Sequence, residues 1–201
     1  MAPVGDFFER VVDLEATAEE AGPLAGRVVD WLAAEGIITR ATSGDGVYSP
    51  STDHGYVPGP DWARAVADAS DPSWLPGPVA VLVGRAHHVG GQGEDEADSV
   101  TCPRCAARTV VIDYPESFEA DEEVWQPFRE GIEAWKATGR GEVPCPACGV
   151  PVPVTEWDFG PEFDLGALAF DFWGWPPLGV RFLTEFRARL GHRTGTQSGK
   201  F

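Results

Sequence analysis

Apolar residues recur along this chain in two patterns, and each pattern predicts a different kind of element. Short runs rich in β-branched and aromatic residues predict strands. Such runs occur at FFERVVD (7–13), IITRAT (37–42), GPVAVLVGRAHHV (77–89), RTVVIDY (108–114), VPVPVTEW (150–157), GALAFDFWGW (166–175) and HRTGTQSGKF (192–201).

Apolar residues spaced three and four apart predict helices. Thr17 and Glu20 form a capping box for the first helix, which ends near Gly36, and the Gly22-Pro23 step divides it so that its firm part starts near Pro23. DWARAVADA (61–69) predicts a short helix. A third helix is predicted over 121–138, and its apolar stripe consists of Val124, Phe128, Ile132 and Trp135. A fourth is predicted over PPLGVRFLTEFRARLG (176–191), and its apolar stripe consists of Phe182, Phe186 and Leu190.

The order of these elements predicts an α+β fold. We expect two terminal β-α-β units to form a mixed sheet with helices, as in a split β-α-β or a related sandwich. This body would comprise residues 1–98 and 155–201, and a zinc-ribbon lobe with an acidic helix would be inserted at 99–154. No internal repeat is evident along the chain.

The four cysteines fall into two Cys-x-x-Cys pairs, Cys102 with Cys105 and Cys145 with Cys148. Two such pairs can surround zinc tetrahedrally. The segment from 100 to 154 resembles a zinc ribbon in its two knuckles, although 39 residues separate the pairs. Because thiolates would fill all four positions, the sequence predicts one structural Zn²⁺ with no open site for catalysis.

A disulfide framework and a redox pair are the alternatives to the metal. Four cysteines in 201 residues are few for a disulfide scaffold, and a thioredoxin-like site needs only one Cys-x-x-Cys. The N-terminal sequence shows no export signal, so we expect a cytoplasmic protein whose thiols stay reduced. No apolar run is long enough to predict a membrane span.

The chain carries a formal net charge of −17, which favours a basic protein partner over nucleic acid. We therefore expect a non-catalytic binding module of the adaptor, chaperone or toxin-neutralising type. The alternative is a nucleic-acid-associated regulator with a winged-helix-like N-terminus and a basic C-terminal tail. For the acidic runs themselves, the simplest explanation is that their charges are only solvated on the surface. The predicted partner-binding residues are Glu119, Asp121, Glu122, Glu123, Glu130 and Glu133.

Sequence motifs for catalysis are incomplete. The tail GTQSGKF lacks the spacing and the Ser or Thr of a P-loop, and no G-x-S-x-G or H-E-x-x-H occurs. Asp53 and His54 are adjacent in a predicted turn, where we expect an exposed histidine and no Asp–His bond, and a hydrolase using loop histidines is the weakest alternative. Trp173 and Trp175 could line a ligand surface, although core packing is the more ordinary role.

Segments at both ends of the chain resemble a family of uncharacterised actinobacterial proteins, some of which are labelled transporter ATPases. The resemblance lies in VVDLEATAEE (11–20) with WLAAEGII (31–38), and in FDFWGWPPL (170–178) with LGHR (190–193) and GKF (199–201). This resemblance implies no established activity. The sequence contains no P-loop that would support the ATPase label.

Overall fold

The computed structural model describes residues 7–71, 74–90 and 95–200. The chain divides into two units. Unit 1 comprises Met1–Gly84, Gly90–Gln92 and Gly166–Phe201, and unit 2 comprises Arg85–Val89 and Gly93–Leu165. The insertion predicted at 99–154 lies inside unit 2, which extends further in both directions.

The described residues contain ten strands, three α-helices and two short 3-10 helices. The helices are α1 (Ala18–Ala34), α2 (Glu122–Thr138) and α3 (Val180–Leu190), with 3-10 turns at Trp62–Ala65 and Val154–Glu156. The strands are β1 (Phe7–Asp13), β2 (Ile38–Ser43), β3 (Gly55–Pro58), β4 (Val79–Val89), β5 (Ser99–Thr101), β6 (Arg108–Val110), β7 (Glu142–Pro144), β8 (Pro151–Pro153), β9 (Phe163–Trp173) and β10 (Thr194–Lys200).

Unit 1 is built on a six-stranded sheet with the strand order β10-β1-β9-β4-β3-β2. β1 pairs antiparallel with β9 on one edge and with β10 on the other. β9 and β10 are therefore parallel to each other with β1 between them, which makes β9-α3-β10 a split β-α-β unit. The predicted α+β class is confirmed, and the two ends of the chain meet in one sheet. Three strands separate β1 from β2 in that sheet, so β1-α1-β2 is not a unit of neighbouring strands.

The apolar stripes of α1 and α3 form the main core of unit 1 with one face of the sheet. Trp31 of α1 stacks on Phe182 of α3, with ring centroids 5.7 Å apart. Phe186 meets Phe170 of β9 edge to face at 5.0 Å. The predicted stripe Phe182, Phe186 and Leu190 is buried throughout, as expected for a helix that covers a sheet.

One predicted helix break and two predicted helix bounds were wrong. α1 begins at Ala18 after its N-cap Thr17, as the capping box predicts, but it continues through Pro23 without a break. α3 begins at Val180, after the prolines and after its N-cap Gly179. The segment 61–69 forms only the 3-10 turn Trp62–Ala65.

Both tryptophans of the predicted aromatic strip belong to the core. Trp173 is 1% exposed and Trp175 is fully buried. The indole N–H of Trp173 donates to Ser49 Oγ at 3.0 Å, and that of Trp175 donates to the Gly77 carbonyl at 2.8 Å. The hypothesis of a ligand surface at these residues was therefore wrong.

The described part of the chain contains no helix long and apolar enough to cross a membrane.

A buried ion pair joins the central strands β1 and β9. Arg10 and Asp171 are partners in the strand register. The guanidinium donates from Nε to Asp171 Oδ1 at 2.5 Å and from Nη2 to Oδ2 at 2.9 Å. Ser49 Oγ also donates to Asp171 at 2.7 Å, and the guanidinium carbon lies 4.4 Å from the Phe8 ring centroid. Asp171 is fully buried, so its charge is compensated only by these protein groups.

We expect Asp171→Ala to lower the free energy of unfolding by about 3–5 kcal/mol, because it leaves the Arg10 guanidinium buried without its carboxylate. Asp30→Ala is the matched control, since the Asp30–Arg40 pair is exposed and contributes about 1 kcal/mol or less. Urea denaturation of both variants measures the difference. Equal losses in the two variants would show that burial of the Arg10–Asp171 pair is not important for stability.

Candidate metal centre

The two Cys-x-x-Cys pairs lie at the turns of two β-hairpins in unit 2. Cys102 follows β5 and the chain returns as β6, while Cys145 follows β7 and the chain returns as β8. Both hairpins are antiparallel, with strands of three residues. Strands this short pair weakly alone, so the hairpins need support from elsewhere.

The two hairpins are copies of one structural unit, with an offset of 43 residues between equivalent positions. The strand pair Thr101↔Arg108 corresponds to Pro144↔Pro151, and every other pair in the two registers is shifted in the same way. The expectation of no internal repeat was therefore wrong.

The hydrogen bonds of the two turns repeat as well. Cys102 N–H donates to the Ala107 carbonyl at 3.0 Å, and Cys145 N–H donates to the Val150 carbonyl at 3.0 Å. The carbonyl of Cys102 accepts from Ala106 N–H at 2.9 Å, and that of Cys145 accepts from Gly149 N–H at 2.8 Å. The two knuckles therefore share one backbone geometry.

The four cysteine sulfurs converge on one point. All four Sγ atoms lie within 4.8 Å of one another, and those of Cys105 and Cys145 are 3.7 Å apart. With Zn–S bonds of about 2.3 Å, tetrahedral geometry places neighbouring sulfurs about 3.8 Å apart. None of the four cysteines is in a disulfide. This cluster could hold a metal ion.

Burial divides the four cysteines into two inner and two outer ligands. The first cysteine of each pair, Cys102 and Cys145, is buried, and the second, Cys105 and Cys148, is exposed. The inner two pack in the core of unit 2 with Val100, Val143 and the aromatic residues of α2. One side of the cluster is therefore fixed by the core and the other faces solvent.

Two thiols of the cluster, those of Cys145 and Cys105, have pKa values shifted in opposite directions. The backbone N–H of Cys148 stabilises the Cys145 thiolate most, and with help from Ala147 N–H and the neighbouring thiols it lowers the pKa of Cys145 to about 7. At Cys105 the backbone N–H of Ala107 favours the thiolate, but hydrogen bonds with the other three thiols, together with partial desolvation of the sulfur, outweigh it and raise the pKa to about 12. A divalent cation removes this conflict, because it lets all the thiols ionise together.

Helix α2 forms the support of the two hairpins. Asp121 caps its first turn by accepting from the N–H groups of Glu123 and Val124. Gly131 lets the helix approach β7 closely, since a Cβ there would lie 2.7 Å from Val143 Cγ2. Phe128, Ile132 and Trp135 are buried as predicted, but Val124 is only half-buried and Trp125 takes the inner position. The predicted stripe was therefore wrong by one residue in the first turn.

The six predicted partner-binding residues are all exposed, and several have partners within α2. Arg129 Nη2 donates to Glu122 at 2.8 Å, and Lys136 pairs with Glu133 at 2.8 Å. These hydrogen bonds lower the pKa values of Glu122 and Glu133, so both stay ionised near neutral pH. The exposed set is Glu119, Asp121, Glu122, Glu123, Glu130 and Glu133.

The histidines do not gather at one site. His54 is exposed as predicted, but its Nδ1 does contact the Asp53 carboxylate, so the expectation that these neighbours would not bond was wrong. His87 is half-buried and stacks on Phe163, and His88, the next residue of β4, is buried. His192 contacts the fully buried Asp13, a pairing that no local pattern indicates because 179 positions separate the two residues.

Comparison with protein-family models, with curated proteins and with solved structures finds no match. The comparisons therefore give no support to the resemblance to an actinobacterial family. The likeness to a zinc ribbon depends on the four converging sulfurs alone.

The repeat makes a prediction at the turn position where both copies have positive φ but carry different residues. Ala106 has φ +58° where the equivalent Gly149 has φ +72°, and this left-handed region is costly for any residue with a Cβ. We expect Ala106→Gly to stabilise unit 2 by up to about 1 kcal/mol, and Gly149→Ala to destabilise it by about 1 kcal/mol. Hydrogen exchange of the β5–β8 amides measures both changes, and a loss in both variants would refute the equivalence of the turns.

Proposed function

We propose that unit 2 binds one structural Zn²⁺ through Cys102, Cys105, Cys145 and Cys148. The observation that carries this proposal is the convergence of four sulfurs from two equivalent hairpin turns. Sulfur ligands in a tetrahedral set favour zinc among the common divalent ions. Arg104 N–H lies 3.4 Å from Cys102 Sγ, and such bonds from backbone amides stabilise metal-bound thiolates.

The proposed ion has a structural role, because it cross-links the two hairpins. Four thiolates complete its coordination, so no position is left for a water or a substrate. It joins two hairpins that are far apart in sequence and too short to be stable alone. Metal binding is then part of the folding free energy of unit 2.

Protein purified without chelator should contain close to one zinc per chain by elemental analysis. Cys145→Ser should lose most of this zinc, because a three-thiolate site binds more weakly. Hydrogen exchange should then show lost protection in β5–β8 and unchanged protection in β1, β9 and β10. Ser117→Ala, an uncharged change in the same unit, is the control. A zinc content near zero with reduced thiols would refute the proposal.

We further propose that this zinc-stabilised unit is a non-catalytic module that docks a basic protein, as an adaptor, chaperone or toxin-neutralising protein does. Unit 2 holds 17 of the 32 acidic residues of the chain but only 6 of its 15 Lys and Arg residues. The apolar stripe of α2 packs inward, so its acidic face is exposed. Such a field accelerates association with a positively charged partner.

A nucleic-acid-associated regulator is the alternative. It would use the basic C-terminal segment and a winged-helix-like N-terminus. Among the described residues, several arginines of that segment already have intramolecular partners: Arg181 pairs with Glu185, Arg193 with Glu15, and Arg189 lies over Trp31. Between residues 7 and 71 a single α-helix occurs, whereas a helix-turn-helix needs two. These observations favour the protein-binding module.

Neutralising the acidic face tests the proposed module. The test variant carries Glu119→Gln, Asp121→Asn, Glu122→Gln, Glu123→Gln, Glu130→Gln and Glu133→Gln, in which Asn at position 121 keeps a capping side chain. The control neutralises six exposed acids of unit 1, namely Glu19, Asp30, Asp45, Asp53, Asp68 and Glu185.

We expect affinity capture from cytoplasmic extract at low salt to retain a basic protein on the wild type and the control, but not on the test variant. With that protein purified, the association rate should fall by about tenfold or more between low and physiological salt. Capture of DNA or RNA that nuclease treatment removes would favour the alternative. Equal capture by the test variant and the wild type would show that the acidic face is only solvated.

A further inference from the structure

A buried carboxylate and a histidine form a pair in unit 1, far from the metal centre in sequence. Asp13, the last residue of β1, is fully buried and accepts from the N–H groups of Glu15 at 3.0 Å and Ala16 at 2.9 Å. His192 Nδ1 lies 2.9 Å from Asp13 Oδ2 and 3.1 Å from Oδ1. A quarter of the His192 side chain is exposed.

This geometry orients the ring. Because a carboxylate oxygen accepts hydrogen bonds, the contact with Asp13 places a ring proton on Nδ1. Nε2 is then the ring nitrogen left for a ligand, as an acceptor in the neutral ring and as a donor in the imidazolium.

The backbone around the pair is held in place. Gly191 ends α3 in the left-handed conformation with φ +78°, and His192 follows directly. Arg193 N–H donates to Glu15 Oε2 at 2.9 Å, and the Arg193 carbonyl accepts from Leu14 N–H at 3.1 Å. The turn after α3 is therefore fastened to the turn after β1, so the ring is positioned from both sides.

The ring lies in the wall of a cleft of about 670 Å³. Glu15, Arg187, Arg193 and Thr194 also line this cleft. Arg193 is neutralised by Glu15 at 2.8 Å. Arg187 donates from Nε to Thr194 Oγ1 at 3.2 Å, and within the described ranges no carboxylate pairs with it. The cleft therefore contains a guanidinium that pairs with no carboxylate of the described residues, beside a histidine that a carboxylate orients.

We propose that this cleft binds a small anionic ligand through its phosphate or carboxylate group, with Arg187 as the charged anchor and the His192 ring, oriented by Asp13, as a second polar contact. A guanidinium presents donors that match two oxygens of such a group. A bound divalent cation would be repelled by the same guanidinium. The proposal is independent of the proposed zinc and of the proposed basic partner.

Charged groups of both signs surround the His192 ring. The acids are Asp13, Glu15 and Glu20, from the end of β1 into α1, and Arg187 and Arg193 lie on the other side. The Arg193 side chain lowers the pKa of Glu15, and Thr17 N–H lowers the pKa of Glu20. Both acids are therefore ionised near neutral pH, and Arg187 is the cleft arginine without a carboxylate partner among the described residues.

Titration of the intact protein with inorganic sulfate, followed by NMR of the His192 ring and by calorimetry, tests the proposal. We expect saturable binding of sulfate that shifts the His192 ring signals, because the cleft places the ring beside the guanidinium anchor. Phosphate and acetate titrations show which group the cleft prefers.

Variants separate the cleft from general charge effects. Arg187→Gln should abolish saturable binding, and His192→Gln should weaken it less, because the guanidinium anchor remains. The control is Arg181→Gln, which removes another exposed charge from the same helix outside the cleft. The proposal fails if the control weakens binding as much as Arg187→Gln, if no saturable binding occurs, or if Zn²⁺ shifts the His192 ring and anions do not. If His192→Gln does not fold, Arg187→Gln and the His192 ring signals of the wild type during the sulfate titration still decide.

Discussion

The antiparallel pairing of β1 with both β9 and β10 is the constraint on which unit 1 depends. This register places Arg10 opposite Asp171 on one side and opposite Gln197 on the other, so the buried guanidinium finds its acceptors. It also places Asp13 opposite Thr194, next to the turn that carries His192. A slip of one residue would move every β1 side chain to the opposite face. The ion pair, the aromatic core and the proposed anion-binding cleft therefore depend on one set of backbone hydrogen bonds.

Unit 2 differs from unit 1 because its strands are too short to fix a register by pairing alone, so their register must be stabilised by other contacts. Its core is a cluster of aromatic rings from α2 and from the chain after β8, where Phe128 and Trp157 meet edge to face at 4.8 Å. Cys102 and Cys145 belong to this core, so the proposed ion is tied to the packing of α2. The close approach at Gly131 makes that packing possible. Core and cysteine cluster thus support the same two hairpins.

Local patterns were enough to predict what local chemistry determines. The capping box at Thr17, the stripe of α3 and the two knuckles were all read from residues a few positions apart. The hairpin repeat was missed because only Val, Cys, Pro, Cys and Val recur among the thirteen equivalent positions from 99 and 142. The pairs Arg10–Asp171 and Asp13–His192 were missed because their members are more than 150 positions apart and only the strand register joins them. The buried Trp173 and Trp175 could not be assigned to a face without that register.

The charge of unit 2 bears on both of its proposed roles. Its 17 acidic and 6 basic residues give a formal net charge of −11, and a Zn²⁺ ion with four thiolates would add two further negative charges. A negative surrounding opposes ionisation of thiols and attracts a cation, so the empty cluster keeps protons that the metal must displace. Because the loaded site is two charges more negative than four protonated thiols, the field that would attract a basic partner opposes metal loading, and the Zn–S bonds must outweigh it. Neutralising that surface would weaken the attraction of a basic partner and ease metal loading, whereas substituting one cysteine would remove the metal and loosen the two hairpins.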